Sequence, residues 1–383
     1  MHVLLSCLFF IHTLSTATSI LLSPIGVDGL PKDWVFIIKL GKGGDNCEKL
    51  LPTEASSLSN TNIGYEDYEC GMLYADANNQ TLRYIPGTIH DTTGPLYKTW
   101  SQGALDKAVA YQVWNDQSGP TKIPSFGSGI AAHDKGFLLY NNESGVLGQH
   151  TCPNWLYSYS NNFRSPETFY NTSRPGGDAS TYSQTFLLVS LKNRTDINAV
   201  RQMIARENGR LFYLDVGTTN RNLFPTYHEP IQPISTASPS AVPIHRMFES
   251  SLFVYTKHRS EHYDYWEYFT TTFCSAQSKS QVWTYVECGS GILKSTHITD
   301  YNCYEPEANR YGQGFQFGKS NWYPNHMKVG YCLSDDDPIV AIAGWNHKKT
   351  QLVRGSLFVV LRSKELHDSF KRLFPHKNLS IDI

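Results

Sequence analysis

Two residue types that suit phosphoryl chemistry stand two positions apart at His133 and Lys135. In an extended segment the side chains alternate between faces, so residues i and i+2 point to the same side. The imidazole and the ammonium can therefore face one ligand. A neutral imidazole can attack phosphorus while a neighbouring ammonium neutralises phosphoryl oxygens. The pair predicts chemistry on a phosphodiester.

A second pair with the same spacing lies far along the chain, at His326 and Lys328. Each pair is followed at a similar separation by an asparagine, Asn154 after the first and Asn346 after the second. Asparagine amides can donate to phosphoryl oxygens, although these two also suit turns that follow strands. The repeat predicts two copies of one unit that share a site.

A third histidine and lysine with this spacing, His347 and Lys349, belongs to a polar, basic run. No apolar strand flanks it. We therefore expect residues 347–349 to form a surface turn rather than part of the site.

The two motifs resemble those of the deoxyribonuclease II family, in which each half of the chain carries one His-x-Lys. The likeness continues from about residue 33 to about residue 363 in ordered blocks. These blocks are residues 33–40, 114–117, 149–154 and 182–190. Ordered blocks over most of the chain are more specific than either motif alone.

The resemblance implies a mixed-sheet α/β, phospholipase D-like fold with two pseudo-symmetric halves packed as one unit. It also implies an acid endodeoxyribonuclease that leaves 3′-phosphate ends and uses no cofactor or metal. By this analogy His133 is the nucleophile and His326 protonates the departing sugar oxygen, although sequence leaves the two roles interchangeable. Water would then open the phosphohistidine with the second histidine as base.

His150 lies in the third block and corresponds to a histidine regarded as part of the family's active site. A buried, hydrogen-bonded histidine is the alternative interpretation. The scheme needs one neutral and one protonated imidazole, which coexist most readily in mild acid because the reference pKa of imidazole is about 6.5.

The sequence departs from the family at the middle residue of each motif. Thr or Ser is usual there, whereas this chain has Asp134 and Met327. An extended backbone would turn Asp134 to the face opposite its neighbours. From there its carboxylate could still stabilise a charged His133 and shift the working pH.

Residues 1–19 are typical of a secretory signal, with an apolar run followed by small residues. No later stretch is long and apolar enough to span a bilayer. Five Asn-x-Ser/Thr sequons agree with a lumenal route. They begin at Asn79, Asn142, Asn171, Asn193 and Asn378. We expect a secreted or lysosomal glycoprotein that does not bind membranes.

Seven cysteines remain after residue 19, and an oxidising compartment favours disulfides among them. They are Cys47, Cys70, Cys152, Cys274, Cys288, Cys303 and Cys332. The odd number leaves at least one outside any intrachain disulfide, and the pairing stays open.

The formal net charge of −1 gives no long-range basic field to gather nucleic acid. This argues against a high-affinity, sequence-specific DNA binder. It is compatible with an enzyme that holds a few phosphates through local cations.

Apolar runs predict strands at residues 35–40, 110–114, 136–140, 186–191 and 355–362, and helices at 195–204 and 365–374. A run rich in Pro and Ser at residues 225–244 suggests a connection. We expect an N-terminal half at residues 20–224 and a C-terminal half at residues 245–383.

One rival motif, His258-x-x-Glu261-His262, matches the pattern of inverted zinc peptidases. On a helix its two histidines would ligate zinc while Glu261 acts as base. A charged surface turn is the alternative. A secreted glycoprotein of this fold that binds DNA or a protein partner without cleaving is a third hypothesis, and a homodimer is left open.

Overall fold

The chain is represented by a computed structural model. It describes residues 20–40, 71–87, 89, 91–105, 109–115, 132–152, 183–207, 210–215, 244–258, 261–275, 279–283, 286–287, 293, 295, 298–300, 303–304, 315–317, 321–323 and 326–373. All structural statements below concern these ranges.

Nineteen strands and four α-helices are found in the described ranges. The strands of the first part of the chain are β1 (Trp34–Lys39), β2 (Met72–Asp76), β3 (Arg83–Ile85), β4 (Ala110–Asn115), β5 (Gly136–Tyr140), β6 (Gly145–His150), β7 (Gln184–Leu191) and β8 (Arg210–Asp215). Those of the second part are β9 (Ile244–Met247), β10 (Leu252–Lys257), β11 (Ser280–Trp283), β12 (Val286–Glu287), β13 (Ile298–Asp300), β14 (Cys303–Tyr304), β15 (Phe315–Phe317), β16 (Asn321–Tyr323), β17 (Val329–Cys332), β18 (Ile339–Ala343) and β19 (Ser356–Arg362). The helices are α1 (Pro95–Leu105), α2 (Arg194–Glu207), α3 (Tyr265–Phe273) and α4 (Lys364–Leu373).

Two large sheets carry the fold. The first has the order β3-β2-β1-β7-β6-β5-β4-β8 and the second β13-β11-β17-β18-β19-β10-β9. Read from the opposite edge, the second sheet repeats the central order of the first, with β10-β19-β18-β17-β11 matching β1-β7-β6-β5-β4. Three consecutive strands followed by a helix occur in both halves: α2 follows β5, β6 and β7, and α4 follows β17, β18 and β19. The structure is therefore two divergent copies of one unit.

The space between the sheets holds α2 and α4. One continuous apolar cluster joins Phe36 of β1 and Val254 of β10 to Val200 of α2 and Phe370 of α4. The Phe36 and Phe370 rings lie 5.5 Å apart. Because each helix buries its apolar side between two sheets, the halves share one core.

The outer face of each sheet is covered by a further helix. On the first sheet Val35 and Ile37 pack with Trp100 of α1. On the second, Tyr255 and Phe358 pack with Trp266 of α3. The alternation along β1, odd residues outward and even residues inward, explains why this strand reads as a continuous apolar run. The layers run α1, sheet, α2 with α4, sheet, α3.

This architecture confirms the predicted fold class, a mixed α/β arrangement consistent with a phospholipase D-like fold. The predicted strands correspond to β1, β4, β5, β7 and β19, and the predicted helices to α2 and α4. The limits assigned to the halves and to the connection stay a prediction, since residues 216–243 lie outside the described ranges. The secretory signal at residues 1–19 also lies outside the described ranges and stays a prediction.

One disulfide agrees with the oxidising compartment that the sequence predicts. Cys274 and Cys332 form a disulfide that ties the end of α3 to β17. No helix within the described ranges is long and apolar enough to cross a membrane.

Candidate active site

Each His-x-Lys motif lies in the segment directly before an equivalent strand, not within it. His133 and Lys135 precede β5, and His326 and Lys328 precede β17. The predicted strand at residues 136–140 corresponds to β5, so the first motif ends directly before it. The middle residues of both motifs are buried. Met327 is buried in the shared core, and Asp134 is fully buried beneath its segment.

Each motif segment is hydrogen-bonded to the opposite half, and the two hydrogen bonds are equivalent. The amide of His133 donates to the carbonyl of Gly355, just before β19, at 2.9 Å. The amide of His326 donates to the carbonyl of Ser183, just before β7, at 3.0 Å. Because β19 and β7 occupy equivalent positions, each histidine is anchored on the same point of the opposite half. Both motifs thus lie along one boundary between the halves, formed by residues 133–135, 183, 326–328 and 355 and called the seam below.

The contacts of His133 define its tautomer. Its Nδ1 lies 2.5 Å from the carbonyl oxygen of Gly344, which can only accept a hydrogen bond. Nδ1 must therefore carry the proton, and in the neutral ring the lone pair is on Nε2. An imidazole held in this way is oriented for nucleophilic attack through Nε2.

The contacts of His326 favour the other tautomer. Its Nδ1 lies 3.1 Å from the ammonium of Lys328, which can only donate. When Nδ1 accepts from Lys328, the proton of the neutral ring is on Nε2. Nδ1 is also 3.2 Å from Oε1 of Gln184, which can accept from a doubly protonated ring. Both states carry a proton on Nε2, but only the doubly protonated ring can donate it as a general acid, because it then becomes a neutral imidazole.

His150 ends β6 directly beside the first motif. Its amide donates to the carbonyl of Lys135 at 3.0 Å, and its ring stacks on Phe186 at 5.5 Å. At the matching place in the second half, the amide of Ala343 donates to Lys328 at 3.1 Å. His150 is thus a buried histidine beside the first motif, and its part in the active site stays a prediction.

The two motif lysines are almost fully buried, with 1% of Lys135 and none of Lys328 exposed. Asn346 lies in the same region, two residues after Gly344, and is also buried. Asn154 lies outside the described ranges. Buried cations in a low-dielectric site attract an anion more strongly than exposed ones, which suits a phosphate ligand.

A carboxyl pair that sequence did not reveal lies under the first motif. Oδ2 of Asp134 accepts from Nε1 of Trp114 at 2.8 Å, and Oδ1 accepts from Nε2 of Gln149 at 3.2 Å. The carboxyl group of Glu207, at the end of α2, is in hydrogen-bonding reach of Asp134. Burial raises the pKa of Asp134 to about 7 and raises that of Glu207 well above its ordinary value.

The third His-x-Lys is not a surface turn throughout, which corrects the prediction. His347 is buried, and its Nε2 lies 2.6 Å from Oδ2 of Asp264. Asp264 also caps α3 by accepting from two backbone amides. Only the following lysines approach the surface. His347 therefore ties α3 to the chain just after Asn346.

The zinc-peptidase alternative is wrong because its residues serve another purpose. His258, Glu261 and His262 precede α3 and are not helical. The buried carboxylate of Glu261 pairs with Arg206 of α2 and accepts from the amide of His258 at 2.8 Å. A base engaged by a guanidinium is unsuited to activating water, and the helical spacing that would align two ligands is missing.

Among the described residues, one cluster has side chains close enough to hold a metal. It consists of Asp335, His367 and Asp368. Asp335 is 2.6 Å from the ammonium of Lys371, and Asp368 is 2.8 Å from that of Lys364. These lysines already neutralise both carboxylates, so we interpret the cluster as an ion-pair network on α4.

Three residues of the site escaped sequence reasoning. Gln184 accepts from Thr151 at 2.8 Å and contacts Nδ1 of His326. Glu207 lies beside Asp134. The carbonyl of Gly344 accepts the hydrogen bond from Nδ1 of His133. A Cβ at Gly344 would overlap the carbonyl of His133 and the side chain of Asp134. The one available signal was Gly344 itself, which opens the Gly-Trp-Asn run that ends at Asn346.

Comparisons with known proteins identify the family of the chain. The family model for deoxyribonuclease II matches residues 54–378. Plancitoxin-1 of Acanthaster planci is 22% identical over 353 residues, covering 89% of this chain and 87% of that protein. Deoxyribonuclease-2-alpha of Sus scrofa is 28% identical over 187 residues, covering 46% of this chain and 42% of that protein. The chain therefore belongs to the deoxyribonuclease II family and, with it, to the endonucleases that hydrolyse DNA.

Proposed function

We propose that this protein is an acid endodeoxyribonuclease that works through a phosphohistidine without a metal and leaves 3′-phosphate ends. The observation that carries the proposal is the reciprocal anchoring of His133 and His326 along one seam, each by its amide on the opposite half. Two imidazoles with complementary proton positions are what a double displacement at phosphorus needs.

In the first step Nε2 of His133 attacks the phosphorus of a DNA phosphodiester. The bond from phosphorus to the 5′ oxygen of the next sugar breaks, and Nε2–H of His326 protonates that oxygen. The 3′ portion of the strand leaves with a free 5′ hydroxyl. The upstream strand stays attached to His133 through its 3′ phosphate.

In the second step His326, now deprotonated at Nε2, takes a proton from water. The water oxygen attacks phosphorus and the bond to His133 breaks. The product carries a 3′ phosphate, and both histidines return to their starting states. Attack from opposite sides in the two steps requires the two imidazoles to flank the phosphate, as a seam between two equivalent halves allows.

Charge on the phosphoryl oxygens is neutralised by Lys135 and Lys328, with amide donors from Asn346 and Asn154 and with His150 beside the first motif. The buried ammonium groups need no reorganisation when charge develops, which is the main source of electrostatic stabilisation in enzymes. Acidic solution favours the reaction because His326 must hold a proton that His133 lacks.

Plasmid DNA incubated in mildly acidic buffer with excess EDTA tests the proposal. Conversion of supercoiled to nicked and linear forms is expected. Fragments with a 3′ phosphate should become substrates for terminal transferase only after phosphatase treatment. Cleavage that requires a divalent cation, or fragments extended without phosphatase, would contradict the mechanism. Retention of intact DNA would favour the non-cleaving glycoprotein.

We also propose that the protein acts in lysosomes or after secretion, with N-linked glycans. The three sequon asparagines in the described ranges, Asn79, Asn142 and Asn193, are all exposed. Asn171 and Asn378 lie outside these ranges. A mass shift on treatment with peptide N-glycosidase tests the glycans, and sedimentation of the purified protein tests for a homodimer.

A further inference from the structure

The carboxyl pair of Asp134 and Glu207 occupies a position that the mechanism above does not use. Both side chains are fully buried. Asp134 stands between the proposed nucleophile His133 and Lys135. Glu207 is the last residue of α2, the helix that packs between the two sheets.

The hydrogen bonds of the pair require a proton. Asp134 accepts from Trp114 and Gln149, so its oxygens already have donors. Within the described ranges no nitrogen or hydroxyl donor reaches either oxygen of Glu207. Its neighbour there is the carboxyl group of Asp134. Two touching carboxylates cannot both stay ionised in a buried site, so the pair must share at least one proton.

The cations around the pair do not supply enough positive charge to keep both carboxyl groups ionised without that proton. Lys135, on the same segment, is the cation that lowers the pKa of Asp134, and burial outweighs it. Arg206, next to Glu207, is paired with Glu261. From the second half, Lys257 donates to backbone carbonyls at residues 352 and 354, and Arg354 donates to Ala132. His133 lies on the segment itself, with Nδ1 at Gly344.

Backbone contacts link the pair to the catalytic segment. A Cβ at Gly344 would overlap the side chain of Asp134, and a Cβ at Gly355 would overlap the carbonyl of Glu207. These two glycines also accept the hydrogen bonds of His133, one from Nδ1 and one from the amide. The side chain of Asp134 and the backbone of Glu207 therefore lie directly against the two glycines whose carbonyls orient the imidazole.

We propose that Asp134 and Glu207 are positioning residues that hold His133 in its working orientation by sharing protons, and that ionisation of the pair loosens this segment. The inference rests on the proposed function for its catalytic consequence. Compared with an unfolded chain, whose carboxyl groups ionise near pH 4, the folded protein retains protons on the pair. The folded state therefore binds more protons from about pH 4 upward, and its stability falls as pH rises towards and beyond neutrality.

The test compares wild type with the double variant Asp134→Asn, Glu207→Gln, in which an amide pair keeps a hydrogen bond at every pH. The matched control is Glu365→Gln, an exposed carboxylate on α4. Melting temperature and the rate of plasmid cleavage are measured between about pH 5 and about pH 8. The wild type and the control should lose melting temperature as pH rises, and the double variant should lose less.

Cleavage by the double variant should decline less steeply above neutrality. Its rate near pH 8, relative to its own rate near pH 5, should exceed the wild-type ratio by about tenfold, as one unit of pKa shift gives. Parallel pH profiles for all three proteins would overturn the inference. If the wild type cleaves no DNA, the proposed function fails, while the melting profiles still decide whether the pair shares a proton.

A second measurement, made on the wild type, tests the inference even if the double variant does not fold. Infrared spectra of wild type at neutral pH should contain the band of a buried, protonated carboxyl group, because exposed carboxyl groups are ionised there. The band should persist above neutrality and, where the double variant folds, be absent from it. Absence of the band in wild type would overturn the inference.

Discussion

The amide of His326 donates to the carbonyl of Ser183 across 143 residues of sequence at 3.0 Å, and this bond has a counterpart in the other half. There the amide of His133 donates to Gly355. Each acceptor directly precedes a strand at the equivalent position of its own sheet, β7 in the first and β19 in the second. The two hydrogen bonds explain how two motifs that each belong to a separate sheet come to line one seam.

The tautomers assigned to the two histidines predict different variant behaviour. His133→Ala and His326→Ala should each abolish cleavage of plasmid DNA, the second by at least the roughly 10²–10⁴-fold that general acids contribute. A phosphodiester with a good leaving group, such as a nitrophenyl ester, needs no acid. With that substrate His326→Ala should form a stable phosphoenzyme, detected by mass spectrometry, and His133→Ala should not.

If the phosphoenzyme forms in His133→Ala instead, the roles of the two histidines are reversed. Substantial cleavage of plasmid DNA by either variant would contradict the two-imidazole scheme altogether. Unchanged circular dichroism would show that both variants keep the fold.

Lys328 is expected to neutralise phosphoryl charge and to set the proton position of His326. Lys328→Met keeps the apolar stem and removes the charge. We expect a loss of about 10²–10³-fold in kcat/KM, the effect of removing one preorganised donor. Steady-state kinetics on a short oligonucleotide measures this. Lys349→Met, an exposed lysine nearby, is the matched control and should stay within twofold of wild type, as about 0.4 kcal/mol allows.

Gly344 is expected to tolerate no side chain. In Gly344→Ala the added Cβ would overlap the carbonyl of His133 and the side chain of Asp134. The overlap should cost about 1–3 kcal/mol of unfolding free energy and displace the acceptor of His133 Nδ1. Denaturant unfolding and cleavage assays should therefore both show a loss.

Gly29→Ala separates these two effects. Gly29 has open space around it but a φ of 78°, which strains an alanine by about 1–2 kcal/mol. It should lose stability and keep its activity per folded molecule. Equal activity losses in both variants would show that the seam is not the cause.

Glu261 is expected to act in folding and not in metal chemistry. Glu261→Ala would leave the guanidinium of Arg206 buried without its carboxylate. Removing one partner of a buried ion pair costs about 3–5 kcal/mol. A large fall in melting temperature is expected, with no recovery on adding zinc. Glu365→Ala, on an exposed helix surface, should change stability by less than about 0.5 kcal/mol. Restoration by zinc would revive the peptidase hypothesis.

The sequence by itself determined the main elements, because they depend on local patterns. The apolar runs of β1, β5, β7 and β19 and the helical spacing of α2 and α4 are visible in any short window. The two His-x-Lys motifs and their ordered blocks indicated the family, and the net charge argued against a high-affinity, sequence-specific DNA binder.

Tertiary structure alone decided which polar residues meet. Glu207 reaches Asp134 only because α2 ends under the first motif, and Arg206 reaches Glu261 only because the same helix packs on the second sheet. His347 is buried because Asp264 lies opposite it. These pairings join residues that are 55 to 83 positions apart. Periodicity reports which side of an element is apolar, and it carries no information on which charge another element will place beside it.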